Sequence, residues 1–548
     1  MPAREYLVDG DQGFIGLNSR DNPLNLGKNY VSKSQNFRMD RGIAILRKGT
    51  KRLTDAGLAA LGNIYGACSY TKSDGTERMI LVFSDRIAVY NQETQAIEAT
   101  VTFPAGETII ASDDVDVYQA QGIGYVYICR GFAKSVLRWN GVNTAGSVVT
   151  PGTGTHHNYP PTRQAVYYGN RHIVQTDGNS FSVSHYLDDN AWSALDMFNI
   201  NDGSSDRLIA ITPWTLNEFV IFMRNSVFYC AVGVGAELDG QAAQESNSYV
   251  KSLASDIGCI ARGSAIQAAG GILFLSDNGI YMLNPAGAAQ GGVNTPEGMR
   301  LLALAEPISA PINDVIARVN YNYVDKATAI YWENRYYIAV PLDSSTKNNA
   351  VLVYNFVNKA WESVDVYPEN FDIKQFIVAK RGSKRRLFAI DGEEGVFLLE
   401  ENNWDEYGGA TGLPRLPGAG QVDTFVLNTA SAVLQASEFQ ANQIQGQLIT
   451  RAYSFDTNKE KRFSGIQTDI FAPGGGIVYA SVLTSNPDIE SELIRYGINA
   501  DEDTILRLPV RKCGQYLQAK YVTTNSRPQI HSITTSAIVV GYNHKSQK

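Results

Sequence analysis

The chain has 548 residues, of which 44% are hydrophobic and 19% charged, and this balance excludes an intrinsically disordered protein. A formal net charge of −8 excludes a protein whose main task is to grip nucleic acid, because that task needs a basic face. The length predicts two or three domains, and the 49 glycines and 29 tyrosines favour strands joined by tight turns.

The start of the chain carries no signal for export and no repeat. It lacks the basic start and apolar stretch of a secretory signal, and no run approaches the roughly 20 apolar residues of a membrane helix. The five cysteines are widely spread without a CxxC pair, so we predict neither a zinc site nor a disulfide framework. For residues 1–60 we expect an N-terminal arm or an extra strand.

Residues 61–407 repeat one pattern at a spacing of roughly 40 residues. Each unit has an alternating apolar run, a turn rich in Gly, Asp or Asn, and a second apolar run. Examples are the unit at 206–231, with EFVIFMRNSVFYC, and the unit at 249–284, with GGILFLSDNGIYML. A four-stranded sheet cannot bury both faces alone, whereas radial stacking of such sheets buries them. We therefore predict an all-β fold with a β-propeller of about seven blades. A pair of β-sandwiches is the alternative for the same strands.

The last part of the chain predicts a second domain. Residues 408–443 are rich in Gly and Pro at their start and predict a linker with short helical turns, the best helical segment lying around 426–445. Residues 444–548 alternate apolar and polar side chains again, and we predict a C-terminal β-sandwich there.

Several segments resemble the tail nozzle proteins of short-tailed bacteriophages, which are also described as tail tubular protein B or packaged-DNA stabilisation proteins. In the N-terminal stretch these are Gly16-Leu17-Asn18, Asn22-Pro23-Leu24, Ser34-Gln35-Asn36-Phe37-Arg38 and Arg47-Lys48-Gly49-Thr50, the last departing from the Arg-Pro-Gly that the family often shows. Further along they are Ile257-Gly258-Cys259, Val353-Tyr354-Asn355, Ala360-Trp361, Thr450-Arg451-Ala452-Tyr453, Lys461-Arg462-Phe463 and Leu508–Gly514.

This resemblance implies a structural subunit of the phage virion, assembled in the host cytoplasm. A homo-hexameric ring would continue the double-stranded DNA channel below the portal and head–tail adaptor. It would retain the packaged genome, anchor tail fibres or spikes, and open for ejection. As gates we consider the long Gly-, Ala- and Gln-rich segments Ala231–Ser248 and Asn284–Glu306.

No segment predicts catalysis, so we expect a protein that is not an enzyme, with no cofactor, no metal site and no small-molecule substrate. There is neither a Walker loop nor an HExxH motif, and His156-His157 lies in a loop without a nearby pair of carboxylates. The turns 73–76, 176–178 and 276–279 partly resemble the Asp-boxes of sialidase propellers, and this leaves a glycan-binding or glycan-cleaving tail-fibre propeller as the alternative function. We favour plain hairpin turns, because the spacing and the closing Trp of the box are missing.

Two basic clusters stand out in this acidic chain. Residues 28–52 hold eight Lys or Arg against one Asp, and residues 380–386 form a compact basic turn. Such clusters face either DNA phosphates or an acidic neighbour in a ring, while the alternative for the second cluster is a solvated hairpin tip. We predict that the N-terminal cluster lies at a subunit or adaptor interface, because it is irregular and basic in an acidic protein. The candidates for the DNA channel or a subunit interface are Lys48, Lys51, Arg52, Lys380, Arg381, Lys384, Arg385 and Arg386.

Overall fold

The protein was studied as a computed structural model, which describes residues 6–53, 56–120, 124–151, 159–201, 203–214, 218–232, 248–269, 271–283, 306–367, 371–402, 405–406, 444–485, 493–510, 513–523 and 527–540. These ranges contain forty strands and two short helices, α1 (Ala56–Leu61) and α2 (Asn313–Ile316), so the fold is almost entirely β, as predicted. Neither helix is long and apolar enough to span a bilayer.

Six strands lie in the N-terminal segment. They are β1 (Tyr6–Asp11), β2 (Gly16–Leu17), β3 (Tyr30–Gln35), β4 (Phe37–Asp40), β5 (Ile43–Leu46) and β6 (Gly49–Leu53).

Four antiparallel sheets of four strands follow, each a simple meander. Blade 1 contains β7 (Gly66–Thr71), β8 (Glu77–Val82), β9 (Arg86–Asn91) and β10 (Ala96–Thr102). Blade 2 contains β11 (Asp116–Ala120), β12 (Tyr125–Cys129), β13 (Leu137–Trp139) and β14 (Val148–Val149). Blade 3 contains β15 (Ala165–Tyr168), β16 (Arg171–Gln175), β17 (Ser180–Ser184) and β18 (Trp192–Asn199). Blade 4 contains β19 (Leu208–Pro213), β20 (Glu218–Met223), β21 (Val227–Ala231) and β22 (Tyr249–Ala254).

Three further blades complete the propeller. Blade 5 contains β23 (Ile266–Ala268), β24 (Gly271–Ser276) and β25 (Gly279–Leu283). Blade 6 contains β26 (Thr328–Trp332), β27 (Arg335–Val340), β28 (Ala350–Asn355) and β29 (Ala360–Val366). Blade 7 contains β30 (Gln375–Arg381), β31 (Lys384–Asp391), β32 (Gly395–Asn402) and, as its outermost strand, β6.

The blades close into a circle. The innermost strand of each blade contacts that of the next, and β30 of blade 7 contacts β7 of blade 1. The ring is completed from the N-terminal segment, because β6 pairs with β32 with Leu53 opposite Val396 and Lys51 opposite Leu398. This pairing removes the open edge that β32 would otherwise present. The predicted propeller is thereby confirmed.

The predicted boundary between blades 4 and 5 needs one correction. Six blades have four strands, whereas blade 5 has three within the described residues. The sequence unit at 249–284 joined parts of two blades, because Tyr249–Ala254 is the outermost strand of blade 4. The long connection over residues 233–247 separates this strand from β21, so its pattern looks like the start of the next unit.

Glutamine side chains cap the free inner edge of blade 1. The Gln375 side chain accepts a hydrogen bond from the Ala67 amide at 3.1 Å and donates one to the Ala67 carbonyl at 2.9 Å. Gln119 makes the same pair of bonds with Thr71, each at 3.0 Å. Blades 7 and 2 thus satisfy backbone groups that would lie unpaired at the propeller axis, which fixes the spacing between neighbouring blades.

The faces between blades are packed with apolar and aromatic side chains. Between blades 2 and 3, Tyr127, Tyr159 and Trp192 surround His172, whose Nδ1 lies 2.7 Å from the Tyr118 hydroxyl. Burial lowers the pKa of His172 to about 4, so this histidine is neutral in the core at physiological pH. It therefore serves packing between the blades.

The remaining strands form a β-sandwich. They are β33 (Gly446–Thr450), β34 (Lys461–Phe471), β35 (Gly476–Thr484), β36 (Ile494–Ile498), β37 (Asp503–Leu508), β38 (Cys513–Gly514), β39 (Leu517–Thr523) and β40 (Gln529–Val539). One sheet has the order β37-β34-β40-β5-β4, with β1 also pairing with β40 and β38 with β34. The other runs β3-β33-β39-β35-β36 and continues through β2 into blade 6, which makes one ten-stranded sheet.

The N-terminal segment therefore belongs to both parts of the molecule. β6 is a propeller strand, β1, β4 and β5 belong to the sandwich, and β2 and β3 connect the two. A single apolar core runs from the sandwich, where Phe463 and Tyr521 are buried, to blade 6, where Ile338 and Trp361 are buried. The linker predicted at 408–443, with its helical turns, lies outside the described residues.

Candidate functional site

The candidate residues of both predicted basic clusters lie in or next to blade 7. Lys48, Lys51 and Arg52 belong to β6 or immediately precede it, and the segment 380–386 is the hairpin that joins β30 to β31. Sheet pairing places β6 at the outer edge of the blade, whereas the hairpin joins the two innermost strands at one end of the blade. The fold thus gathers on one blade two clusters that are more than 300 residues apart in the chain.

The hairpin between β30 and β31 contacts blade 1. The Gly382 amide donates to Glu93 at 2.6 Å, and the Arg385 guanidinium lies 3.2 Å from the Glu77 carboxylate while 64% of its side chain stays exposed. Lys380 and Lys384 are exposed, and their ammonium groups contact no acid among the described residues. These two lysines are therefore available to a partner.

The other two arginines of the hairpin, Arg381 and Arg386, are less exposed to solvent. Arg386 is half-buried and lies 3.8 Å from Glu401 of β32. Arg381 is also half-buried, and its Nη1 atom is enclosed without a hydrogen-bond partner in the described structure. Within the hairpin, then, Lys380, Lys384 and Arg385 carry the accessible charge.

The N-terminal cluster is more strongly tied to the protein. Arg52 forms an ion pair of 3.0 Å with Glu394, and its amide donates to Glu406 at 3.1 Å. The Lys48 amide donates to Glu400 at 3.2 Å, and the side chains of Lys48 and Lys51 are half-buried. These contacts hold β6 in blade 7, and the prediction that this cluster meets a neighbouring subunit or the adaptor stays a prediction.

A buried ion cluster, which no pattern in the sequence indicates, is formed by Arg38, Arg47, Asp365, Glu400 and Asp405. Arg38 reaches Asp365 of β29 at 2.6 Å and also pairs with Glu400 of β32. Arg47 binds Asp405 through two hydrogen bonds of 2.9 and 2.6 Å. Burial disfavours the charge on Arg38, yet the two carboxylates outweigh it and raise the pKa of the guanidinium above its ordinary value.

Asn36 organises the backbone beside this cluster. It has a positive φ of 60°, and its side-chain oxygen accepts hydrogen bonds from Arg47 Nε and from the Val366 amide, both at 2.9 Å. Its side-chain amide donates to the Gln445 carbonyl at 2.7 Å. A single asparagine thus links the N-terminal segment to blade 6 and to the start of the sandwich, and Asn tolerates this backbone conformation better than most residues.

One mouth of the propeller axis is crossed by an arginine. Arg262, which precedes blade 5, donates to the backbone carbonyls of Val115 at 3.0 Å and of Arg163, which precede blades 2 and 3. Asp114 pairs with both guanidinium groups, at 3.1 Å from Arg262 and 3.2 Å from Arg163. Since blade 5 does not neighbour blade 2, Arg262 spans the opening, and duplex DNA cannot pass along this axis.

A funnel of acids and arginines at the blade centre is the feature that would mark a glycan-cleaving propeller. The mouth does bring acids and arginines together, but Asp114 pairs with both Arg262 and Arg163, and Arg262 also donates to backbone carbonyls. Two of the three Asp-containing turns bond to themselves, since Asp74 accepts the Thr76 amide at 2.8 Å and Asp177 accepts the Asn179 amide at 2.7 Å. These two carboxylates therefore serve their own turns.

Other predicted features are placed as follows. Cys68, Cys129, Cys230 and Cys259 are buried thiols and Cys513 is exposed. The described ranges contain no group of three or more His, Cys, Asp or Glu side chains that could hold a metal ion. His156-His157 and nearly all of the two gate candidates, Ala231–Ser248 and Asn284–Glu306, lie outside the described residues.

The structure defines the protein as a β-propeller joined to a β-sandwich. No family model and no curated protein sequence matches the chain. Among solved structures it is similar to PorZ, an essential bacterial surface component of the type-IX secretion system of Porphyromonas gingivalis, with 11% identity, a TM-score of 0.36 and coverage of 62% of this chain and 37% of PorZ. It is also similar to U3-55K, with 10% identity, a TM-score of 0.36 and coverage of 64% and 98%. The chain thus spans little more than a third of PorZ.

Proposed function

We propose that this protein is a structural subunit of the tail nozzle of a short-tailed bacteriophage. The observation that carries the proposal is the junction of propeller and sandwich, where Asn36, Arg38 and Arg47, all within segments that resemble nozzle proteins, bind partners more than 300 residues away. A ten-stranded sheet crosses the same junction. This construction suits a rigid part that acts by shape, without bond chemistry, and must resist the pressure of packaged DNA.

The DNA channel of the proposed nozzle runs between subunits. Arg262 crosses the propeller's own axis, so the opening must be enclosed by several copies of the chain, and the resemblance implies six. A net charge of −8 suits such a wall, because weak attraction to phosphates lets DNA slide. The adaptor above and fibres or spikes around the ring would be its partners in the virion.

The hairpin at 380–386 is the contact to the neighbouring subunit in this proposal. Lys380 and Lys384 are exposed without internal partners, and an acidic protein offers acidic faces on its next copy. Complementary charge of this kind speeds and orients association more than it adds affinity, and it weakens with salt.

Reversing the charge of this hairpin tests the contact. The double variant Lys380→Glu/Lys384→Glu is expected to raise the protein concentration needed for ring formation at least about tenfold at low salt, as measured by mass photometry. The matched control is Lys359→Glu/Lys459→Glu, which changes two exposed lysines elsewhere and brings the net charge from −8 to the same −12, since each exchange removes two charges. Equal behaviour of the two variants would refute the contact.

A further inference from the structure

A pocket of about 340 Å³ opens beside blade 4, at the end of the propeller where the turn between β20 and β21 lies. Its walls are the connection from blade 3, that turn, and the outer strands β21 and β22. Five serines, two asparagines, one aspartate and one phenylalanine line it, and no lysine or arginine does. Its volume is at the lower end of the range for small-ligand sites.

Several polar groups of this pocket remain open to a ligand. The side chains of Asn201, Ser205 and Ser252 are exposed, and none of them has a hydrogen-bond partner among the described residues. Asp206, by contrast, is buried and accepts hydrogen bonds from the Ser226 hydroxyl at 2.6 Å and the Asn225 amide at 2.9 Å. Asp206 therefore holds the wall of the pocket in place, while the neutral side chains of Asn201, Ser205 and Ser252 remain accessible to a ligand.

The strand pairing supports this arrangement locally. Val227 lies opposite Ala254 and Phe228 opposite Ser252, so the register slips by one residue and Leu253 is bulged. A bulge at a sheet edge bends the strand and re-aims its side chains. Here it brings Ser252 opposite Phe228, and both residues line the pocket.

We propose that this pocket binds a neutral saccharide. Hydroxyl and amide groups that can both donate and accept match the hydroxyls of a sugar. A phosphate or an acidic ligand would need basic side chains, which the lining lacks. The site does not depend on the nozzle proposal; in a tail it would hold a neutral glycan of the host surface.

The experiment applies the full-length protein to an array of neutral oligosaccharides built from glucose, galactose, mannose and N-acetylglucosamine, with acidic glycans beside them. We expect at least one neutral glycan to be retained, and its affinity to be measured by calorimetry. Ser252→Trp fills the pocket and is expected to weaken binding at least about tenfold. Asn201→Ala and Ser205→Ala remove groups without internal partners and are expected to weaken it roughly threefold to tenfold each.

Ser73→Trp is the matched control, because Ser73 is likewise an exposed serine, in the turn between β7 and β8 of blade 1. It is expected to leave the affinity unchanged. The proposal is overturned if no neutral glycan is retained, or if Ser252→Trp binds as well as the unchanged protein. It is also overturned if both truncations leave the affinity unchanged, since hydroxyl and amide recognition is its basis.

Discussion

A chain lacking residues 1–53 is expected to lose cooperative folding of the propeller and the sandwich together. The deletion removes β6 and leaves β32 with an open edge, which exposes the buried Val396, Phe397 and Leu398. It also removes β2 and β3, which connect blade 6 to the sandwich, and three strands of the sandwich itself. Circular dichroism during heating and limited proteolysis measure the effect, and a sharp unfolding transition at the temperature of the full chain would contradict it.

A pair of single substitutions isolates the part played by β6. Thr50 and Arg52 donate their amides to Asp405 and Glu406, so the Lys51 amide between them faces β32. Lys51→Pro removes that donor and is expected to lower the free energy of unfolding by about 3 kcal/mol or more. Lys51→Ala keeps the donor and is expected to stay within about 1 kcal/mol of the original.

Loss of Arg47 is expected to destabilise the protein by about 3 to 5 kcal/mol, because Asp405 would remain buried without its counter-charge. Side-chain exposure in this ion pair is 0% for Arg47 and 5% for Asp405. Urea unfolding followed by tryptophan fluorescence measures the loss for Arg47→Met. The double variant Arg47→Met/Asp405→Leu is expected to recover part of it, since no unpaired charge is then left in the core.

An exposed ion pair of the same geometry provides the control. Arg224 binds Asp277 through two hydrogen bonds of 2.6 and 2.8 Å, but the side chains are 40% and 49% exposed. Arg224→Met is therefore expected to cost less than about 1 kcal/mol. If Arg47→Met and Arg224→Met lower the free energy of unfolding equally, burial does not explain how much the Arg47–Asp405 ion pair stabilises the protein.

Local pairing explains why the propeller could be predicted from the sequence. Apart from β6 in blade 7, the strands of each blade follow one another along the chain, as β27 and β28 do, so alternation and turn residues report the sheet directly. The predicted boundary of blade 5 is wrong where a long connection separates β22 from its own blade. A pattern of alternation does not say to which sheet a strand belongs.

Pairings between distant segments could not be predicted. The contact of β6 with β32 and the bond from Arg38 to Asp365 join residues more than 300 positions apart, and periodicity carries no information at that range. Arg38 and Arg47 lie in motifs that resemble nozzle proteins, but the acids that neutralise them look like ordinary strand and loop residues in the sequence. The saccharide pocket was hidden for the same reason, since its serines look like turn residues until the strands assemble.

Electron cryo-microscopy of the purified full-length protein tests whether it forms the proposed nozzle ring. We expect closed rings of about six copies around an opening wide enough for duplex DNA, with the propeller axes lying in the wall and crossed by Arg262. Single copies that form no ring at any concentration, or a ring whose DNA-sized opening runs through a propeller axis, would contradict it.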